Sequence, residues 1–195
     1  MRKLFIHEEE HLLDAYRLGV SVFNSGFRPT FIVGLWRGGS SVGIAVQECL
    51  QYLGVEADHI SIRTSYRGAP AYAKMLEHNS PEIRVHGTQY LLENLNADDS
   101  LLIVDDVYST GANVAAVIAR LSTRLKRNMP ENVRIAVPWY KPDNNRTTRA
   151  PDYYLHETDR WLVLPYELIG LSVDEIRTEK GFVSEFVRKF AGTKA

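Results

Sequence analysis

A single cysteine, Cys49, stands among the 195 residues, so no disulfide can form within the chain. A lone thiol fits a reducing compartment, where disulfides are rare. Long apolar runs are missing as well; a membrane-spanning helix would need about 18 such residues in a row. Charge of one sign is not in excess, since 23 Lys and Arg face 24 Asp and Glu for a net charge of −1. That balance removes the electrostatic reason to expect nucleic acid or an acidic membrane as partner. The densest basic stretch, residues 120–127, falls at the end of an expected helix, where positive charge complements the helix dipole. The six histidines (His7, His11, His59, His78, His86 and His156) show no metal-ligand spacing and are expected to be structural or surface residues. No leader pattern opens the chain: Met1 to Ile6 runs straight into His7 and three glutamates. The expectation is therefore no signal peptide and a cytoplasmic protein.

What is present is the composition of a globular protein, 45% hydrophobic and 24% charged. Its length suits one domain with a full core. Residues 8–25 read as a helix with Leu12, Leu13, Tyr16, Val20 and Phe23 on one face. A strand over 30–35 leads to a helix over 41–53. There Val42, Ala45, Val46, Leu50 and Leu53 share a face with Cys49, so that thiol is expected to pack rather than react. Strands follow at 59–66 and 82–86, separated by a stretch over 67–81 with no period. A loop of that length in a compact domain is usually functional or mobile. A short helix over 88–95, a strand over 101–107, a helix carrying Val114, Val117, Ile118, Leu121 and Leu125, and a strand over 133–140 complete the series. Residues 141–152 read as a loop, and 153–155 and 161–164 as short strands outside the main sheet. Ser172 and Glu175 have capping-box spacing.

Strand and helix alternating from 30 to 140 predict an α/β fold: a doubly wound, mostly parallel sheet with helices on both faces. The whole chain, 1–195, is expected to be one domain. Residues 141–195 and the N-terminal helix would add a small cap, or hood.

The most informative segment runs from Leu101 to Val114. Leu101, Leu102, Ile103 and Val104 are apolar in succession, as in a strand buried on both faces. Asp105 and Asp106 then fall at its carboxyl end, where open α/β sheets place ligands. The turn Ser109, Thr110, Gly111, Ala112, Asn113 offers successive backbone N–H groups at a helix N-terminus, an anion site. Two carboxylates beside a phosphate cradle suit a phosphorylated substrate with hydroxyls, or a hard metal ion. A second glycine turn, Arg37, Gly38, Gly39, also links a strand to a helix. Its glycines permit close backbone approach, and Arg37 adds a fork of donors for phosphate oxygens.

These segments resemble the type I phosphoribosyltransferases, and among them the xanthine and hypoxanthine-guanine enzymes. The resemblance spans residues 30–167, with four segments in the family's order. It implies that Asp105 and Asp106 hold the ribose hydroxyls of phosphoribosyl diphosphate, directly or through Mg²⁺, with Asp106 the metal-facing acid. It implies that Ser109, Thr110, Gly111, Ala112 and Asn113 cradle the 5′-phosphate. Arg37, Gly38 and Gly39 would take the diphosphate, at a turn where the family often strains a peptide bond. Ser65 and Tyr66 would lead a flap that closes over the sugar and excludes water. Lys141 would donate to the exocyclic oxygen of a purine, Trp161 would stack on the ring, and Leu162 would meet its edge through the backbone.

The implied activity is transfer of phosphoribose to a 6-oxopurine base with release of diphosphate, by a homo-oligomer (dimer or tetramer). A regulator that binds the sugar phosphate or a nucleotide without catalysis, or a transferase for another acceptor, is the alternative. The chain departs from the purine enzymes at Ser109, where they carry an aspartate that handles the ring-nitrogen proton, and at Asn113, where Thr or Ser is usual. Serine is no base at neutral pH without an activator.

Overall fold

A computed structural model describes residues 3–66, 83–184 and 186. Two compact units emerge: Leu12–Asp159, and the chain ends Met1–His11 with Arg160–Ala195. The expected loop over 67–81, with His78, lies outside the described residues.

The larger unit is built on one mostly parallel sheet. Its strands are β2 (Phe31–Trp36), β3 (Asp58–Tyr66), β4 (Ile83–His86), β5 (Ser100–Val104), β6 (Val107–Tyr108), β7 (Asn132–Tyr140) and β8 (Tyr153–Glu157). The hydrogen-bonded order runs β4-β3-β2-β5-β7, and only β4 is antiparallel to its neighbour. Both β6 and β8 also pair with β7. The helices are α1 (Glu8–Asn24, its first turn in the smaller unit), α2 (Gly38–Tyr52), α3 (Gln89–Asn94) and α4 (Ala112–Leu125).

β5 shows why the sheet is two-sided. Leu101 and Ile103 enter a core with Leu91 of α3 and Val114, Val117, Leu121 and Leu125 of α4. Leu102 and Val104 enter a second core with Ala15, Leu18 and Val22 of α1 and Val42, Ala45, Val46 and Leu50 of α2. These four apolar side chains of β5 are fully buried, each worth roughly 1.5–3 kcal/mol of transfer free energy. The doubly wound fold read from the sequence is the fold observed.

Four local expectations are corrected. Residues 101–107 do not form one strand. Pairing with β7 stops after Val104↔Ala136 and resumes at Val107↔Trp139, in the same register. Asp105 and Asp106 occupy the gap. β8 belongs to the main sheet, with Ala136↔Tyr153 and Tyr140↔Glu157 in register. α2 begins at Gly38 rather than Ser41. Finally, α1 buries Ala15, Leu18 and Val22, whereas Leu12, Leu13, Tyr16 and Val20 are 41–51% exposed. The side was chosen by close approach: a Cβ on Gly19 would sit 2.8 Å from Cys49 Cβ, so α1 turns its small residues to α2. Cys49 packs there, its thiol donating to Tyr16 O at 3.6 Å, and burial pushes its pKa up.

The smaller unit holds β1 (Lys3–Phe5) paired in parallel with β9 (Trp161–Val163), and α5 (Val173–Glu179). The capping box is formed: Glu175 N–H donates to Ser172 Oγ at 3.2 Å, and Ser172 N–H to Glu175 Oε2 at 2.8 Å. Lys180 is buried and donates to Leu164 O and Pro165 O at 2.7 and 2.8 Å. No helix among the described residues is long and apolar enough to cross a membrane.

Candidate active site

β2 and β5 are neighbours in the sheet, and both carboxyl ends carry chemistry-bearing residues. After β2 the chain leaves through Trp36 and a cis Trp36–Arg37 peptide bond. It then enters α2 at Gly38, with the Arg37 side chain exposed. The next glycine is set against the acid pair. A Cβ on Gly39 would lie 2.5 Å from Val104 O, 2.8 Å from Asp105 Cα and 3.0 Å from Asp105 Oδ1. Any larger residue would push the Arg37 turn off β5. Two segments separated by more than 60 residues are thus brought into van der Waals contact.

The break in β5–β6 gives the acids their setting. Asp105 N–H still bonds to Ala136 O at 3.2 Å. Asp106 N–H donates to Asp105 Oδ1 at 3.0 Å, and Val107 N–H to Asp106 Oδ1 at 2.7 Å. Burial, followed by the neighbouring Asp106 charge, pushes the Asp105 carboxyl well above the usual carboxylate range. A group in that condition gains from a hydroxyl, or a cation, that shares the site.

The turn at residues 109–113 opens α4. Gly111 stands at φ +75°, a left-handed conformation that glycine adopts without steric cost. A Cβ there would also meet Tyr108 Oη at 2.6 Å and Thr147 Oγ1 at 2.8 Å. Ala112 N–H donates to Thr110 Oγ1 at 3.3 Å. The loop after β7 braces this turn from outside. Lys141 N–H donates to Tyr108 O at 2.9 Å, and Arg146 N–H to Thr110 O at 3.0 Å. Asn144 Nδ2 donates to Ser109 Oγ at 3.3 Å, and Tyr108 Oη to Arg149 O at 2.9 Å. The sequence alone reads 141–152 as a polar loop with Lys141 as its candidate site residue, and does not single out Asn144, Thr147 and Arg149. The run of Asn, Arg and Thr after Pro142 was the available signal, since such side chains bond locally to backbone.

The remaining expected residues are spread more widely. Ser65 and Tyr66 end β3 where the described chain stops, and Ser65 Oγ lies 2.9 Å from His86 Nε2 of β4. Lys141 follows β7 in the larger unit and is buried. Burial lowers its pKa, against the opposing charge of Asp159. Trp161 and Leu162 lie on β9 in the smaller unit, Trp161 41% exposed and Leu162 buried. Another unforeseen cluster locks α1 to the sheet. Fully buried Asp14 contacts Arg17 at 3.1 Å and His156 Nε2 at 2.7 Å, and the His156 ring stacks on Trp139 at 4.3 Å.

Two adjacent acids, a turn with backbone N–H groups at a helix start and a glycine turn stand at neighbouring strand ends of a parallel sheet, where open α/β folds place their ligands. The phosphoribosyl transferase domain family matches residues 8–169, and the chain belongs to that family. Solved structures share the fold at low identity. A purine phosphoribosyltransferase from Pyrococcus horikoshii Ot3 has a TM-score of 0.64 at 23% identity, covering 88% of this chain and 98% of its own. A hypothetical protein from Neisseria gonorrhoeae with bound ppGpp has a TM-score of 0.69 at 15% identity, covering 93% and 97%. A hypoxanthine phosphoribosyltransferase from Trypanosoma cruzi, complexed with the product IMP, has a TM-score of 0.60 at 17% identity, covering 80% and 75%. No curated protein sequence matches the chain.

Proposed function

We propose that this protein transfers phosphoribose from phosphoribosyl diphosphate to a 6-oxopurine (guanine, xanthine or hypoxanthine). The sugar C1–O bond to diphosphate breaks, a bond from C1 to a ring nitrogen forms, and the base loses one proton. The observation that carries this reading is the contact of Gly39 with Val104 and Asp105. It sets a turn suited to diphosphate directly beside two acids suited to ribose hydroxyls, and the Ser109–Asn113 turn follows three residues after Asp106. One substrate carries all three groups in that order.

Arg37 and the Gly38–Gly39 backbone would hold the diphosphate, Asp105 and Asp106 the ribose, and residues 109–113 the 5′-phosphate. Catalysis would be mostly positioning and charge stabilisation of an oxocarbenium-like sugar. Mg²⁺ would neutralise the leaving diphosphate. Among the described residues no three His, Cys, Asp or Glu side chains cluster as metal ligands. The adjacent acids fit an ion that takes one or two carboxylates and its other oxygens from substrate and water, as Mg²⁺ does. Lys141 would read the purine oxygen, Trp161 would stack on the ring and Leu162 would meet its edge. The Ser65–Tyr66 segment would lead the flap. The protein would act as a cytoplasmic homo-oligomer.

Diphosphate release, measured with Mg²⁺, phosphoribosyl diphosphate and a panel of bases, tests the proposal. Turnover with at least one 6-oxopurine is expected; release with none of the bases rejects it. Ser109 supports a second reading, a nucleotide-binding regulator. Its hydroxyl accepts from Asn144 and replaces the usual acid, and one protein of the same fold carries ppGpp. Tight nucleotide binding with no turnover would favour that reading.

A further inference from the structure

Behind the Arg37–Gly38–Gly39 turn lies a polar arrangement that the proposed substrate contacts do not use. His59 stands on β3 beside Ile32 of β2. Its Nδ1 is 3.0 Å from Gln47 Oε1, and Gln47 Nε2 donates to Ala57 O at 3.0 Å. The second bond orients the Gln47 amide, and the first then assigns the imidazole tautomer: Nδ1 carries the proton and Nε2 the lone pair. Burial lowers the imidazole pKa, over the opposing charge of Asp58. Nε2 is buried without a protein hydrogen-bond partner, and so is Ser40 Oγ.

His59 and Ser40 both pack against Gly34. A Cβ on Gly34 would lie 3.2 Å from His59 Nε2, 3.0 Å from Ser40 Cα and 2.9 Å from Gly39 O. A Cβ on Gly43 would lie 2.9 Å from the same Nε2. His59 comes this close because neither position 34 nor position 43 has a side chain. His59 brings a lone pair in need of a donor, and Ser40 a hydroxyl in need of an acceptor. Buried polar groups left unpaired are costly, so the pair favours a turn position in which they meet. Gly39, whose carbonyl faces Gly34 and which also packs against Asp105, would carry that position to the acid pair.

We propose that His59 is a positioning residue for the diphosphate turn: its Nε2 accepts the Ser40 hydroxyl, directly or through one water, as an anion seats in the turn. The inference rests on reading that turn as the diphosphate site. His59→Asn keeps a donor toward Gln47 and removes the acceptor, whereas His59→Gln keeps an acceptor at the place of Nε2. Ser40→Ala removes the donor. Binding of inorganic diphosphate with Mg²⁺, and of guanosine monophosphate as the control lacking diphosphate, is measured by calorimetry beside KM and kcat.

His59→Asn and Ser40→Ala are each expected to weaken diphosphate about fivefold to tenfold, the loss of one hydrogen bond. KM for phosphoribosyl diphosphate should rise by the same factor, with kcat and monophosphate binding nearly unchanged. The double variant should be no weaker than either single variant, and His59→Gln should stay near wild type. Wild type that binds diphosphate while His59→Asn binds it equally well overturns the inference and leaves the function intact. Additive losses, or equal losses for both ligands, also overturn it. Wild type that takes neither diphosphate nor phosphoribosyl diphosphate overturns the functional reading, and the inference with it.

Discussion

Asp106 and His59 have opposite relations to charge, and each makes a prediction. Asp106 is the acid proposed to face Mg²⁺, so Asp106→Asn should weaken Mg²⁺-dependent binding of phosphoribosyl diphosphate at least tenfold, about 1.4 kcal/mol. Calorimetry with and without Mg²⁺ checks this, and unchanged affinity removes the role. His59 makes a prediction about stability. Burial holds its native pKa below the ordinary value, near 6.5. As pH falls through 6.5 the unfolded chain therefore takes up this proton first, and stability is lost until the native imidazole is also protonated. His59→Gln lacks the titration. Urea midpoints of the two proteins, compared between about pH 7 and pH 5, should diverge with wild type losing more. A constant difference would mean that His59 is not buried as described. Ser109 makes a third case. If the base must lose its own proton, activity should rise with pH, and Ser109→Asp should flatten the profile at saturating substrate. The new charge would also sit beside the phosphate turn, so affinity must be measured with rate. Superimposable profiles with unchanged affinity would withdraw Ser109 as the base position.

At the scale of elements, the turns rather than the helices set the geometry. Gly39→Ala places a methyl 2.5 Å from Val104 O, and backbone cannot yield as a side-chain tip does. The expected result is loss of phosphoribosyl diphosphate binding with nucleoside monophosphate binding less affected, since only the diphosphate side of the site is displaced. Equal losses for the two ligands would show a general collapse instead. The same elements show what can be read from a linear chain. β5, α4 and the 109–113 turn were readable because apolar runs, helical period and turn chemistry are local signals. The correct face of α1 was not, because the helix has two apolar sides and the choice depended on Gly19 meeting Cys49. β8 was read as outlying because five residues of mixed burial carry no sign of their partner, which is β7. The break at Asp105 and Asp106 was hidden by apolar Val107 and Tyr108, which resume the ladder. The acids and glycines stood out by local pattern, whereas Asn144, Thr147 and Arg149 did not, because their contacts come from packing on a distant turn.

For the molecule as a whole, the residues proposed for phosphoribosyl diphosphate, Arg37 to Gly39 and Asp105 to Asn113, all belong to Leu12–Asp159, whereas Trp161 and Leu162 belong to the unit formed by the chain ends. Lys141, also proposed for the base, belongs to the larger unit; the prediction for each substrate follows from the residue proposed to touch it. Trp161 keeps 41% of its surface exposed, so Trp161→Ala should fold normally and leave the affinity for phosphoribosyl diphosphate unchanged in calorimetry. Its effect should fall on the base. Loss of an aromatic stacking partner is worth about 0.5–1.5 kcal/mol beyond buried area, so KM for the purine should rise roughly threefold to tenfold or more. Lys141→Met should act differently again. It removes a donor that an oxo group can accept and an amino group cannot, so it should narrow the gap between 6-oxopurines and adenine rather than weaken all bases alike. Wild type is expected to use adenine poorly. If adenine outcompetes guanine, xanthine and hypoxanthine in wild type, or if Trp161→Ala weakens phosphoribosyl diphosphate as much as the base, the assignment of Lys141 and Trp161 to the base is wrong.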